Sequence, residues 1–508
     1  MKPLANHLAV MVLALAGCAA GPDFVRPAAP EAAGYTPEPL PAQTATAEVS
    51  GGDAQRFVQD MDIPGQWWTL FRSPELNALI ERAFKANPDL QAAQAALRVA
   101  MENVSAQQGF FFPTVQANYQ PTRQKQSGVL APALNSNATI FNLYTAQVTV
   151  SYAPDVFGGN RRQVESLRAQ AEWQRFQLEA TYVTLATNVV NAAVQEASLR
   201  AQIAALEEVI KGAAELLELS QRQLDLGAIA MSDVQAQEAA LAQTQAAVPP
   251  LKKLLAQQRN LLAALTGRFP ADEPAQRFDL DSIQLPLELP VSLPSKLVEQ
   301  RPDVRAAEAQ MHAASAQVGV AVANMLPQFN LAAGVGSIAS SGAQLGTAGA
   351  AFWIAGASIT QTLFAGGTLL HRKRAAEAAL DQAGAQYRSA VLAAFENVAD
   401  TLRALQYDAE GLKANAHAER AAFRSLELAK VQVRLGATSR LALLLAQQAY
   451  QQSVVSLAQA RAARYADTAA LFQALGGGWW NRHGVVSGDN SPDNATGPGA
   501  QGSSDLLR

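Results

Sequence analysis

Apolar and polar positions along this chain follow two different periods, and the period changes in the same order twice. From Arg161 to Leu226, and again from about Gly367 to Leu435, apolar residues recur at helical spacing in an Ala-, Gln- and Leu-rich background, the mark of amphipathic helix. No proline interrupts the first stretch, and a continuous helix of that span would be about 100 Å long at roughly 1.5 Å per residue. A compact domain has no need of such a rod. Each stretch breaks at a glycine, Gly227 or Gly436, and a returning helical stretch follows to about Thr266 and Leu475. The glycine turns therefore mark the far tips of two helical hairpins. Antiparallel rods of this kind pack through their apolar stripes, as coiled coils do.

Strand-like runs precede each rod. Val115, Ala117 and Tyr119 alternate with Gln116, Asn118 and Gln120, and Ala146, Val148, Val150 and Tyr152 alternate with Gln147, Thr149 and Ser151. Phe329, Leu331, Ala333 and Val335 repeat the alternation, and Trp353, Ala355, Ala357 and Ile359 supply a fourth run. Runs of about ten residues with period two are long enough to cross a bilayer when tilted. The connections from roughly Gln124 to Asn142 and Ser337 to Ala350 are rich in Gly, Ser, Asn and Ala, as solvent-facing loops are. The apolar sets Val148, Val150, Tyr152 and Trp353, Ala355, Ala357, Ile359 are expected to face lipid. Trp353 and Tyr144 fit interfacial aromatics or packing between protomers.

Sliding the chain on itself exposes an internal repeat of about 210 residues. Asn87-Pro88-Asp89-Leu90 is echoed by Arg301-Pro302-Asp303-Val304, and Pro113 by Pro327 at the same offset of 214. Phe157-Gly158-Gly159 is answered by Phe364-Ala365-Gly366-Gly367, and Leu226-Gly227-Ala228 by Leu435-Gly436-Ala437. The expected organisation is a signal peptide over 1–17, an extended, lipidated segment over 18–65, a first repeat over 66–268, a linker over 269–293, a second repeat over 294–477 and a disordered tail over 478–508. Trp67, Trp68 and Phe71 are placed to pin the first helix.

Composition narrows the classes. With 49% apolar residues in 508, the chain can bury a large core, and a net charge of −4 from 16% charged residues leaves no basic stripe for nucleic acid. Five scattered histidines and one cysteine give neither a disulfide nor zinc-like spacing. Lys2, an apolar stretch from Leu8 to Leu15 and small residues up to Cys18 have the layout of a secretory leader. Leu15-Ala16-Gly17-Cys18 resembles the bacterial lipobox, which would make Cys18 the acylated first residue of the mature chain, carrying N-palmitoyl and S-diacylglycerol groups and no other cofactor. A cysteine without function in an ordinary leader is the other reading. After the leader no run of about 20 apolar residues occurs, so a membrane-spanning part has to be a closed β-barrel. Four strands cannot close around water, because about eight leave an interior only wide enough for side chains. The chain is therefore expected to oligomerise, three copies giving twelve strands and twelve rods.

Lipobox, duplicated helix–strand–strand–helix unit, Pro-Asp helix start, Phe-Gly element and glycine tips together resemble the TolC-like outer membrane efflux proteins, in their NodT-type lipoprotein branch. The resemblance covers about residues 15–477. It implies an α+β membrane protein: a homotrimer anchored in outer-membrane lipid, with a twelve-stranded transmembrane β-barrel on a long antiparallel α-helical tunnel that crosses the periplasm. It also implies docking at the tips around Gly227 and Gly436 to a periplasmic adaptor (a membrane fusion protein) and an inner-membrane pump, commonly of the resistance-nodulation-division type, and no catalytic residues.

The resemblance further places an iris of helix tips just beyond the glycine turns. Many relatives carry a leucine and, four residues on, an aspartate in the second repeat; here those positions are Leu441 and Leu445. A spacing of four puts both on one helix face, where three protomers would form an apolar ring able to gate by dewetting. Asp233 matches an aspartate of the first repeat and is a candidate partner of Arg440 or Arg434 across neighbouring tips. The alternative is that Leu441, Leu443, Leu444 and Leu445 fill the seam between antiparallel helices, which is preferred for Leu443 and Leu444. Arg161-Arg162 and Arg372-Lys373-Arg374 fit solvated helix starts better than a junction site. Three rival functions remain open to the sequence: a protein-secretion duct, a structural surface lipoprotein without conductance, and an enzyme, for which no nucleophile elbow, phosphate loop or metal spacing is present.

Overall fold

In a computed structural model the described residues are 19–32, 34–127, 129, 138–272 and 275–482. Eight α-helices are described: α1 (Pro74–Ala86), α2 (Pro88–Gln108), α3 (Gly159–Asp225), α4 (Met231–Leu265), α5 (Pro294–Gln300), α6 (Pro302–Ala323), α7 (Thr368–Arg434) and α8 (Arg440–Ala474). The strands are β1 (Arg56–Gln59), β2 (Thr114–Lys125), β3 (Ile140–Tyr152), β4 (Glu288–Val291), β5 (Gln328–Ala339) and β6 (Ala351–Thr360). The long helices α3 and α7 have 67 residues each, and the returning helices α4 and α8 have 35 each. At about 1.5 Å per residue the long rods run about 100 Å.

Local chemistry sets the element boundaries. Pro74, Pro88, Pro294 and Pro302 open α1, α2, α5 and α6, where a missing N–H costs nothing. The Asn87 side chain accepts from the amides of Asp89 and Leu90 at 2.9 and 3.1 Å. Its counterpart Arg301 caps nothing and instead forks onto the Asp303 carboxylate while donating to the Ala474 carbonyl. Gly158 (φ +76°) and Gly367 (φ +85°) stand directly before the long rods in left-handed geometry, which only glycine adopts without strain. Within α4, Pro249 and Pro250 fall mid-helix and remove two ladder donors. The helix continues there because Val248 is buried against Ile203 and Leu206 of α3.

Strand order in the larger sheet is β2-β3-β5-β6, antiparallel throughout. In the half of the rods next to the sheet, α2 packs on α3, α3 on α6 and α6 on α7, the same left-to-right order as the strands they feed. Towards the tips the order becomes α4, α3, α8, α7. The protomer is thus a ribbon four elements wide, one layer thick along most of its length, with β2 and β6 as free sheet edges. A belt around the middle of the rods supplies the core: Trp67, Phe71, Leu76, Leu79 and Ile80 from the N-terminal side, Phe278, Leu280, Ile283 and Leu289 from the linker, packed on Val189, Val190, Leu402, Leu405 and Phe472.

Several expectations need correcting. Strand β2 runs on through Lys125 and β3 begins at Ile140, because hydrogen-bonded pairing continues past the point where the apolar alternation ends. Ser337, Ile338 and Ala339 likewise belong to β5. The linker 269–293 is not wholly irregular, and the extended segment expected over 18–65 is held to it: β1 and β4 pair in parallel, Arg56 with Glu288 through Gln59 with Val291. The expected disordered tail begins too early. Trp479, Trp480 and Asn481 form a 3-10 turn, in which Trp479 donates to the Gln300 carbonyl at 2.7 Å and Trp480 to Asp62 at 3.1 Å, and Arg482 pairs with Glu179.

Candidate channel wall, anchor strap and helix tips

Cys18 lies outside the described residues, yet the segment after it is closely held. The Ala20 amide donates to the Phe157 carbonyl at 3.0 Å, beside Gly158 at the sheet end of α3. Arg162 donates to the Ala20 carbonyl at 3.1 Å, to Asp23 at 2.6 Å and to Glu165 at 2.8 Å. Glu165 in turn meets His312 Nε2 at 2.9 Å, and the Phe24 ring stacks on His312 with centroids 4.4 Å apart. Burial opposes the Glu165 charge, but the bonds from Arg162 and His312 outweigh it and hold its pKa below the ordinary value. At Gly319 of α6 the strap crosses so closely that an added side-chain carbon would lie 2.7 Å from the Ala20 carbonyl oxygen and 2.8 Å from Arg162 Cγ.

Lower down, the strap is tied to α8. Arg464, fully buried, donates to the carbonyls of Gly51 and Asp53 at 3.0 Å each and to the Gln55 side chain at 3.0 Å. Gln55 donates to Thr468 at 3.1 Å. Arg464 went unnoticed in the sequence because its partners are chiefly backbone carbonyls some four hundred positions away. Asp408 and Asp467, on α7 and α8, also escaped notice. Desolvation, with the Asp408 carboxyl alongside, pushes the Asp467 pKa up to about 8, so Asp467 keeps its proton at neutral pH.

The pairing register turns four separate alternations into two faces. Residues directly opposite one another share a face, and Val115, Val150, Ala333 and Ala355 lie in one row, Ala117, Val148, Val335 and Trp353 in the next. Tyr152, Leu331 and Ala357 continue the same face on one side, and Tyr119, Ala146, Ser337 and Ala351 on the other. Charged side chains appear on it only at Arg123 and Lys125, beyond the apolar rows. The opposite face carries Gln116, Asn118, Gln120, Thr145, Gln147 and Thr149 across β2 and β3. The two predicted apolar sets therefore lie on one continuous surface.

At the tips both rods end in the same hydrogen-bonded turn. Ala228 N–H donates to the Gln223 carbonyl and Gly227 N–H to that of Leu224, both at 2.8 Å; Ala437 and Gly436 make the matching bonds to Gln432 and Val433 at 2.8 and 3.1 Å. Gly227 (φ +71°) and Gly436 (φ +70°) supply the left-handed residue that such helix ends require. Leu443 is buried with Leu426, Ala429 and Ala446 in the seam between α7 and α8. Leu441 and Leu445 point out of that seam, 64% and 57% exposed. Arg440 donates to Ser220 at 2.9 Å and to Gln223, which stitches the start of α8 to the end of α3. Asp233 accepts from the Ala230 amide at 3.3 Å and so caps its own helix, while Arg434 closes the last turn of α7. Within one protomer the described ion pairs do not join Asp233 to Arg440 or Arg434.

A four-helix ribbon continued by a four-stranded sheet with open edges defines the class: a channel-forming outer-membrane protein, not a closed globular domain. The chain belongs to the outer membrane efflux protein family, whose model matches residues 79–268 and 293–477. It is 29% identical over 486 residues to the probable efflux pump outer membrane protein TtgC of Pseudomonas putida, covering 94% of this chain and 96% of that protein. It is 30% identical over 481 residues to the pyoverdine export outer membrane protein OpmQ of Pseudomonas aeruginosa, covering 90% and 97%. Among solved structures, the outer-membrane channel OprN superposes with a TM-score of 0.80 at 29% identity, over 91% of this chain and all of that one.

Proposed function

We propose that the chain, a duplicated unit, assembles as a homotrimer whose sheets close into a twelve-stranded outer-membrane barrel and whose ribbons close into a periplasmic tunnel. This duct passively releases small toxic compounds when a periplasmic adaptor and an inner-membrane pump dock at the tips. The observation that carries the reading is the ribbon with unpartnered edges. Strands β2 and β6 leave their outer hydrogen-bonding groups unpaired, which is untenable in lipid unless neighbours close the ring. Leu392, Tyr407 and Leu428 of α7 and Val99 of α2 are likewise exposed along the ribbon. On this reading the continuous apolar face meets lipid and the amide-bearing face lines the lumen. The outer-membrane relatives are named for efflux and export of small molecules, which favours efflux over protein secretion.

Lipid on Cys18 completes the proposal. The strap places Ala19 and Ala20 beside Phe157 and Gly158, immediately below the strands, where acyl chains would enter the inner leaflet of the outer membrane; each buried methylene contributes about 0.8 kcal/mol. At the tips, exposed Leu441 and Leu445 are assigned to an apolar iris, with Asp233 and the tip arginines as its neighbours.

Planar-bilayer recording of the purified trimer tests the channel, and intact mass of the mature chain tests the anchor. Discrete conductance steps and a diacylglyceryl-plus-acyl mass increment on a chain beginning at Cys18 are expected. A trimer that inserts without conducting sinks the duct; an unmodified Cys18 removes the anchor and leaves the duct.

A further inference from the structure

The face opposite the continuous apolar surface is not uniformly polar. On β2 and β3 it is a ladder of Gln116, Asn118, Gln120, Thr145, Gln147 and Thr149, giving way only at the start of β3 to Phe141 and Leu143, whereas on β6 it bears Phe352 and Ile354, with Ile338 beside them at the end of β5. Between these banks lie Ala332, Gly334 and Gly336 of β5, opposite Gly356, Ile354 and Phe352. The banks lean over this floor: a carbon added at Gly334 would sit 3.3 Å from Ile354 Cγ2 and 3.4 Å from Thr149 Cγ2, and one at Gly336 would sit 2.8 Å from Gln147 Cβ. Ile354 nonetheless remains 63% exposed. No Asp, Glu, Lys or Arg occupies this face on any of the four strands, all of whose residues are described.

Resting on the trimeric barrel proposed above, we infer that each protomer's lumenal wall is a two-sided track for amphipathic small molecules, with Phe352 and Ile354 receiving the apolar face and the Gln147–Thr149 bank receiving hydrogen-bonding groups. An uncharged wall discriminates weakly between cations and anions, because there is no fixed charge to attract or repel them. Retention then follows amphipathicity and not the sign of charge. Contact with water on the other side keeps it weak enough for release.

Single-channel recording with rhodamine 6G (cationic), 8-anilinonaphthalene-1-sulfonate (anionic) and sucrose as solutes tests the track. In the wild-type trimer both dyes should add current noise from transient residence, and sucrose should not. Phe352→Gln with Ile354→Thr should shorten the residence of both dyes roughly five- to tenfold, equivalent to about 1 to 1.4 kcal/mol, with salt conductance unchanged. Ile354→Thr alone, still β-branched and strand-compatible, should give a smaller shift of the same sign and guards against misfolding of the double variant. Unchanged dye residence in Ile354→Thr, or loss for one charge sign only, overturns the track while the channel stands. A wild-type trimer without conductance overturns the channel itself.

Discussion

Placing an arginine on adjacent residues of β3 separates the two faces of the sheet with the least disturbance. Val150 sits in the row Val115–Val150–Ala333–Ala355, with the Val148 row on one side and the Tyr152 row on the other. From Tyr144 to Tyr152 the strand covers about 27 Å at roughly 3.4 Å per residue, and with a tilt of about 40° this spans about 20 Å of an apolar band about 25 Å tall. On the proposed barrel Val150 lies inside the hydrocarbon, where an arginine costs up to roughly 2 to 4 kcal/mol per protomer. Each 1.4 kcal/mol is a factor of ten, so Val150→Arg should lower the inserted-to-unfolded ratio by up to about 30- to 700-fold for each chain. Thr149, one residue away and paired with Gln116 and Gly334, faces the other way, so Thr149→Arg should leave insertion within about threefold of wild type. That variant should instead shift the channel towards anions. Urea-dependent refolding into lipid vesicles, read by the heat-sensitive gel shift of the trimer, measures the first effect and reversal potentials the second. Equal loss of insertion for both variants would refute the assignment of faces.

At the tips, Leu441→Ser with Leu445→Ser should raise conductance and sensitise cells to large antibiotics at unchanged trimer yield; loss of trimer without a more open channel would assign both leucines to the seam. Gly319→Val should drive the strap off α6 and expose residues 19–32 to limited proteolysis. Gly411→Ala, at a helix position with no neighbour within 4 Å, should be neutral or stabilising by up to about 1 kcal/mol; equal protection of the strap in both variants would argue against the crossing. Asp467 in the folded chain holds the proton that its unfolded counterpart releases above about 4, so stability should fall as pH rises from about 4 to about 8. Asp467→Asn should match wild type near pH 4 and unfold at a higher urea concentration at pH 8, and a gap that does not grow with pH would contradict the raised Asp467 pKa.

How much of this was legible depended on how far apart the interacting residues are in sequence. The rods declare themselves because helical periodicity is written within a single turn, and the glycines at 227 and 436 because a left-handed helix end admits few other residues. The sheet faces were legible from alternation, and the register only aligned them. Strands β1 and β4, four residues each, are too short for a period, and Pro290 within β4 argues against a strand; their pairing depends on two segments more than two hundred residues apart. The Arg162–Asp23–Glu165–His312 cluster likewise joins three separate stretches, and the Arg161-Arg162 pair reads as an ordinary helix start. Trp479 and Trp480 were swept into a Gly-rich tail by composition, although two indole N–H groups with partners at Gln300 and Asp62 make them part of the belt.

The strap has a consequence for the order in which the protomer folds. Its Gln55 side chain bonds to Thr468, 413 positions away, and Arg464 reaches Thr44 across 420, so an early segment is completed by a helix made much later. Contacts of such sequence separation form late, since the loop they close must be ordered before they repay it. Until α8 arrives, the carbonyls of Gly51 and Asp53 and the Gln55 side chain lack the Arg464 guanidinium, and the belt around Trp67 and Phe71 lacks Tyr465 and Phe472. The stretch around residues 44–55 therefore stays without its buried arginine until late in synthesis, whereas residues 19–24 meet α3 and α6 earlier. Truncations that remove α8 should open residues 44–55 to protease while residues 19–24 stay protected against α3 and α6.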